Sequence, residues 1–211
     1  LISPILANVY LHYVLDLWFE KCIKKQLYGE AHLIRFADDF LIMFQYERDA
    51  QRVYEAVIKR MELFGLELSK EKTRILPFGR NCATRETFDF LGFTHFNSKT
   101  RKGYYTVGHK ISRKKKKQFK SNLKKWVKEN RNTQFDEFMK ALNKKLTGSF
   151  NFYSISGMIK EVRNLWIHSL FVTFKWLNRR SQRKSFKLER FYEIWHERII
   201  HPLYSRRYLE W

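Results

Sequence analysis

The chain is 211 residues long, 44% hydrophobic and 17% aromatic, and carries 42 Lys plus Arg against 21 Asp plus Glu, a formal net charge of +21. That length allows one large domain or two small ones, and the charge excess calls for a polyanion, with nucleic acid ahead of an anionic membrane because the basic residues are interleaved with Trp, Tyr and Phe. Cys22 and Cys82 are the only cysteines, which excludes a disulfide framework and a zinc finger, and no apolar run approaches the ~20 residues of a membrane span.

Ser3-Pro4 reads as an N-cap followed by Pro at the first helical position, which predicts a largely buried helix over about residues 4–23. A hairpin is predicted at 32–45. Ala50, Val53, Tyr54, Val57, Ile58, Met61 and Phe64 keep helical spacing, and Gly65 reads as a left-handed cap. Short strand signals follow at 66–68, 73–78, 87–95 and 104–107. The first 108 residues therefore read as α+β, with helices on an antiparallel sheet. From about residue 109 the chain reads as all-α. Phe119, Leu123, Trp126 and Val127 fit one helix face. Phe135, Phe138, Met139, Leu142 and Leu146 fit a second, closed by Gly148. A third helix is predicted over 156–178 and a fourth over 186–198.

Phe36-Ala37-Asp38-Asp39-Phe40 is the stretch with chemistry in it. Adjacent residues on a straight strand point to opposite faces, so both acids serve one site only if the chain turns there. A hairpin with Asp38 and Asp39 at its tip suits hard divalent cations, which take oxygen ligands. Two Mg²⁺ ions held about 4 Å apart can activate a 3′-hydroxyl and stabilise leaving pyrophosphate. A plain polar turn between strands is the competing reading. Asp16 and Asp89 read as exposed or structural acids and are not assigned to metal. A ribosomal-type binding protein would share the charge, so charge alone does not argue for an enzyme.

Five blocks in series resemble group II intron reverse transcriptases. Residues 1–11 look like the helix after the family's Gln-Gly turn. Phe36-Ala37-Asp38-Asp39 is similar to the Tyr-Ala-Asp-Asp box, with Phe for Tyr. Gly65-Leu66-Glu67-Leu68-Ser69-Lys70-Glu71-Lys72-Thr73 resembles the next palm motif. Phe88-Asp89-Phe90-Leu91-Gly92-Phe93 resembles the primer grip. Residues 176–186 resemble the maturase-specific thumb.

The resemblance implies a partial right-hand polymerase palm over 1–108 and an all-α thumb helical bundle over 109–211. It implies an RNA-directed DNA polymerase using two Mg²⁺ ions, with Mn²⁺ as an alternative, on Asp38 and Asp39. Phe36 and Lys72 would lie at the nucleotide, and Leu91, Gly92 and Phe93 at the primer end. Arg113, Lys114, Lys115, Lys116, Lys117 and Lys120 would contact template–primer duplex. Asn178, Arg179, Arg180, Arg183 and Lys184 would contact group II intron RNA, with Ser181, Gln182 and Ser185 as further hydrogen-bonding groups. Trp176 reads as core rather than as a base-stacking platform. The implied partners are intron RNA, an RNA template–DNA primer duplex and dNTPs, in a bacterial cytoplasmic nucleoprotein.

In the family, a further palm Asp and the fingers lie upstream of Ser3. The expectation is that this chain does not polymerise alone, whereas a longer protein would. A non-enzymatic RNA-binding maturase and a defence-associated reverse transcriptase are the alternatives.

Overall fold

A computed structural model describes residues 2–69, 71–82, 84–155, 157–180 and 185–202. Among them are six α-helices and two small antiparallel sheets. The chain divides into two compact units, Leu1–Glu86 and Thr87–Trp211.

The first unit opens on α1 (Ser3–Leu11). The N-cap is Ile2, so Ser3 and Pro4 both lie inside the first turn, where Pro's missing N–H costs nothing. The helix continues through π-helical stretches at His12–Asp16 and Phe19–Ile23 and a 3₁₀ turn at Lys24–Gln26. The expected buried helix is buried only in its second half. Val14, Leu15 and Phe19 enter the core, whereas Ile2, Ile5, Leu6, Val9 and Tyr13 are exposed. Strand β1 (Ala31–Phe36) then pairs antiparallel with β2 (Asp39–Phe44).

Helix α2 (Glu47–Leu63) lays Val53, Val57 and Met61 on the same core as Val14, Leu15, Phe19 and Ala31. Its first turn carries Asp49, which is fully buried and accepts from the backbone N–H groups of Tyr28 and Gly29 at 3.0 Å each. Gly65, at φ +67°, ends α2 as expected: its N–H bonds Glu62 O and the N–H of Leu66 bonds Met61 O, a Schellman closure. The strands expected at 66–68 and 73–78 are not formed. Leu66 and Leu68 pack on the core without a ladder, and the turn at Ser69 takes the chain elsewhere.

The second unit begins with a three-stranded meander, β3 (Thr87–Phe90), β4 (Phe93–Lys99) and β5 (Tyr105–Ile111). Helices α3 (Arg113–Asn130), α4 (Phe135–Tyr153), α5 (Ile159–Leu177) and α6 (Leu188–Arg198) follow. Leu123, Val127, Phe138, Leu142, Leu146, Phe150, Leu165, Leu170, Phe191 and Trp195 form their shared core. Ile111 is buried in that core and Phe93 packs against it, stacked on Phe152 at 5.5 Å. The meander therefore belongs with the helices, and the compact units part upstream of the composition change at residue 109.

Gly148 does not close α4. The buried stripe runs on through Phe150 and Tyr153, and their burial outweighs the ~1 kcal/mol cost of an interior Gly. A methyl added at Gly148 meets nothing within 4 Å. Gly148→Ala is expected to stabilise the protein by about 0.5–1 kcal/mol, read as a raised melting temperature.

Across β4 and β5, His95 and His109 are register partners with their Nδ1 atoms 3.1 Å apart. Burial, and then the neighbouring His109, holds His95 below its ordinary value of 6.5. Burial lowers His168 and His201 as well. The unfolded chain therefore binds more protons than the folded one just below pH 6.5, and stability is lost as pH falls through that range. Amide protection in β4 and β5, corrected for the intrinsic pH dependence of exchange, should fall on acidification from pH 7 to pH 5. His95→Phe should flatten that dependence.

Candidate active site

The tip of the first hairpin is a two-residue turn, Ala37 and Asp38, closed by the Phe36–Asp39 pair. The acids thus straddle the end of the turn, Asp38 within it and Asp39 as the first residue of β2. Ala37 has φ +54°, a left-handed conformation costing an L-residue roughly 1 kcal/mol or more. Both carboxylates are exposed. Among the described residues neither has a hydrogen bond or an ion pair, so both are open to a ligand. Phe36, Ile34 and Met43 make an exposed apolar strip on the face that carries Asp39. Phe36 is 64% exposed and is not a core strand residue.

Arg35 holds this tip. Its Nε and Nη2 donate to the two oxygens of Asp16, each at 2.7 Å. Its Nη1 donates to Asn8 Oδ1 and to the carbonyl of Ala37, each at 2.9 Å. One guanidinium thereby ties the N-terminal helix to the strained turn residue beside Asp38. The hydrogen bond from Arg35 pulls the Asp16 carboxyl below its ordinary value. Sequence reasoning missed Arg35. Its signal was a cation inside an otherwise apolar strand arm.

Lys72 is exposed, in a turn fixed by the N–H groups of Lys72 and Thr73 on Ser69 O at 3.0 and 2.9 Å. Lys70 lies outside the described residues, as do Ser181, Gln182, Arg183 and Lys184. Leu91 and Gly92 belong to the second unit. They form the two-residue turn between β3 and β4, with φ of +51° and +85°. Positive φ at both positions marks a type I′ turn, a place for Asn-Gly rather than Leu-Gly. Gly92 is therefore a turn residue and not a bulge. Phe93 faces Phe152 and Tyr153, which fixes the hairpin on α4.

The β3–β4 turn also meets the basic run. Gly92 O accepts from the N–H of Ser112, and the stem of Lys115 lies beside Gly92. Ser112 caps α3, whose first turn is Arg113, Lys114, Lys115 and Lys116 without an acid. Cations are unfavourable at the positive end of a helix. Among the described residues only Lys116 is compensated, by Glu161 at 2.6 Å. Lys117 and Lys120 are exposed further along.

At the far end of α5 the named residues diverge. The side-chain amide of Asn178 accepts from the N–H of Phe186 at 2.8 Å and donates to its carbonyl at 3.0 Å. It clasps the chain on either side of 179–185. Arg180 is half-buried, reaching Thr133 O at 3.4 Å and the ring of Phe138. Arg179 is exposed and lies over Trp176.

Residues 1–95 match the family model for reverse transcriptase (RNA-dependent DNA polymerase). No curated protein matches the chain. The matched span contains Asp38, Asp39, Lys72 and the Leu91-Gly92-Phe93 turn, and residues 96–211 lie beyond it. Among the described residues no group of three or more His, Cys, Asp or Glu is placed to hold a metal ion, and no helix is long and apolar enough to cross a membrane.

Proposed function

We propose that the protein is an RNA-directed DNA polymerase of the group II intron type, performing two-metal nucleotidyl transfer and binding intron RNA. The observation that carries the reading is the Asp38-Asp39 tip: two exposed carboxylates, unengaged among the described residues, on a clamped turn inside the span that matches the reverse transcriptase family. Mg²⁺ is commonly bound by one or two carboxylates completed by substrate phosphates and water, and this donor set fits that pattern. The ions, when bound, supply positive charge at the transferring phosphoryl group.

The protein's own residues bind and orient. Asp38 and Asp39 provide hard oxygen donors, and Arg35 keeps their turn in one conformation. Phe36 offers an aromatic surface beside Asp39, and Lys72 a mobile point charge suited to a triphosphate. Leu91, Gly92 and Phe93 form the rigid turn proposed for the primer end. Arg113, Lys114, Lys115, Lys117 and Lys120 are proposed for duplex phosphates, contacts that position without reading sequence. Arg179, with Arg183 and Lys184, is proposed for intron RNA. Asn178 closes the chain on Phe186.

The test is primer extension on poly(rA)/oligo(dT) with Mg²⁺ and dTTP, using the protein that carries this sequence. RNA-templated synthesis supports the reading. Tight, salt-sensitive intron RNA binding with no synthesis would leave a maturase that has lost its polymerase.

A further inference from the structure

Helices α3 and α5 run side by side in the same direction. Lys116 meets Glu161 near their starts, and Lys128 meets Trp176 near their ends. At those ends three cations crowd one indole. Arg131 and Arg179 lie 5.4 Å from the ring centre of Trp176, and Lys128 lies 5.8 Å from it. No two of them are further apart than roughly 11 Å, about one Debye length. A recess of about 250 Å³ opens on the same indole, lined by Lys124, Val172, Lys175, Trp176 and Arg179.

Five cations thus share one small region. Among the described residues none has a carboxylate within ion-pair distance. The nearby Glu129 is paired, loosely, with Lys125. Two effects favour cations here, and both fall short. Each helix C-terminus carries about −0.5 charge, so the two together offset roughly one of the five. Each exposed cation–π contact contributes about 0.5–1 kcal/mol, and only three of the five make one. Among the described residues the remaining positive charge lacks a counter-ion.

We propose that this recess binds backbone phosphate of a nucleic acid, with Lys124, Lys175 and Arg179 on its wall and Lys128 and Arg131 beside it around Trp176. Trp176 gathers three of them and forms the apolar wall with Val172. The indole is not a stacking platform, because cations already occupy its surroundings. A concave, charged recess suits one or two phosphodiester groups, whereas a lipid surface is flat. The nucleic-acid ligand rests on the function proposed above. The pocket itself, on residues outside the span matching the polymerase family, does not.

The test is fluorescence anisotropy of a labelled 20-nucleotide single strand against the whole chain, from 50 to 300 mM salt. The pocket variant is Lys124→Gln with Lys128→Gln and Lys175→Gln. A charge-matched control changes the exposed Lys25, Lys99 and Lys102 to Gln. Thermal melting shows that both remain folded. The pocket variant is expected to bind about tenfold more weakly at 100 mM salt, with a log–log salt slope shallower by about 1–2. The control is expected to stay within about threefold. Equal behaviour of the two variants, with binding by the wild type intact, overturns the pocket and leaves the polymerase reading standing. No binding by the wild type overturns the nucleic-acid ligand for both. Phosphatidylglycerol vesicles supply the last arm: vesicle binding lost in the pocket variant, with oligonucleotide binding unchanged, overturns the proposal in favour of a lipid surface.

Discussion

Asp38→Asn should lower RNA-templated nucleotide incorporation by about a thousandfold or more, with the fold intact. The change keeps the side chain's size and removes one of two anionic donors at the hairpin tip. Metal-assisted stabilisation of a phosphoryl transition state is worth several kcal/mol, and each ~1.4 kcal/mol is tenfold in rate. Asp38 is exposed and makes no hydrogen bond or ion pair among the described residues, so stability should move by no more than about 0.5 kcal/mol. The measurement is single-turnover primer extension beside a thermal melt. A rate within a few-fold of wild type would remove the Asp pair from catalysis and leave it a polar turn.

Arg35→Met should cost both stability and activity. The guanidinium makes short bonds to Asp16, Asn8 and the Ala37 carbonyl, and its side chain is 12% exposed. Hydrogen bonds to charged groups contribute about 1.5–3 kcal/mol, and losing the cation leaves Asp16, among the described residues, with only His12, at 3.2 Å, as its side-chain partner. Because the Asp16 side chain is partly solvated, a loss of about 2–3 kcal/mol is expected rather than the larger value for a fully buried pair. Arg35→Lys should rescue little, since a point charge does not span three acceptors.

Acid titration supplies a second readout. Asp16 is held below its ordinary value chiefly by Arg35. The stability it contributes is present above about pH 4 and is lost as pH falls through the folded value. Arg35→Met should weaken that acid dependence, leaving the smaller share that His12 supplies. It should also slow primer extension beyond what the lost folded fraction explains, because the strained Ala37 turn loses its clamp. Unchanged activity per folded molecule would reduce Arg35 to a structural tie.

Much of this was legible from local pattern. Gly65 after a 3.6-residue stripe is a cap in any context, and the structure closes α2 there. The hairpin was legible because apolar arms flank an acidic pair. Its turn fell one residue earlier than the acids alone suggested, since the ladder runs through the Phe36–Asp39 pair. Other features were hidden because their causes are distant in sequence. Gly148 looks like a stop until Phe150 and Tyr153 are seen in the core. Residues 66–68 and 73–78 have strand composition, but ladder pairing depends on a neighbour that local pattern does not reveal. Arg35 takes its meaning from Asp16, 19 positions back, and Trp176 from cations on a helix more than 40 residues earlier.

The π-helical stretch His12–Asp16 has a consequence for chain length. Positions eight apart on a regular α-helix are about 80° out of phase around the axis. Asn8 and Asp16 are eight apart, yet one guanidinium touches both. The wider i→i+5 turn between them rotates less per residue and removes much of that offset. Within that stretch the carbonyl of Val14 accepts from Arg60 Nε at 3.1 Å. The stretch therefore works as a phase shifter. What matters there is how many residues it contains more than which ones. Dropping one would restore an ordinary helix, swing Asn8 off the clamp and uncouple the segment before residue 12 from the Ala37–Asp38 turn.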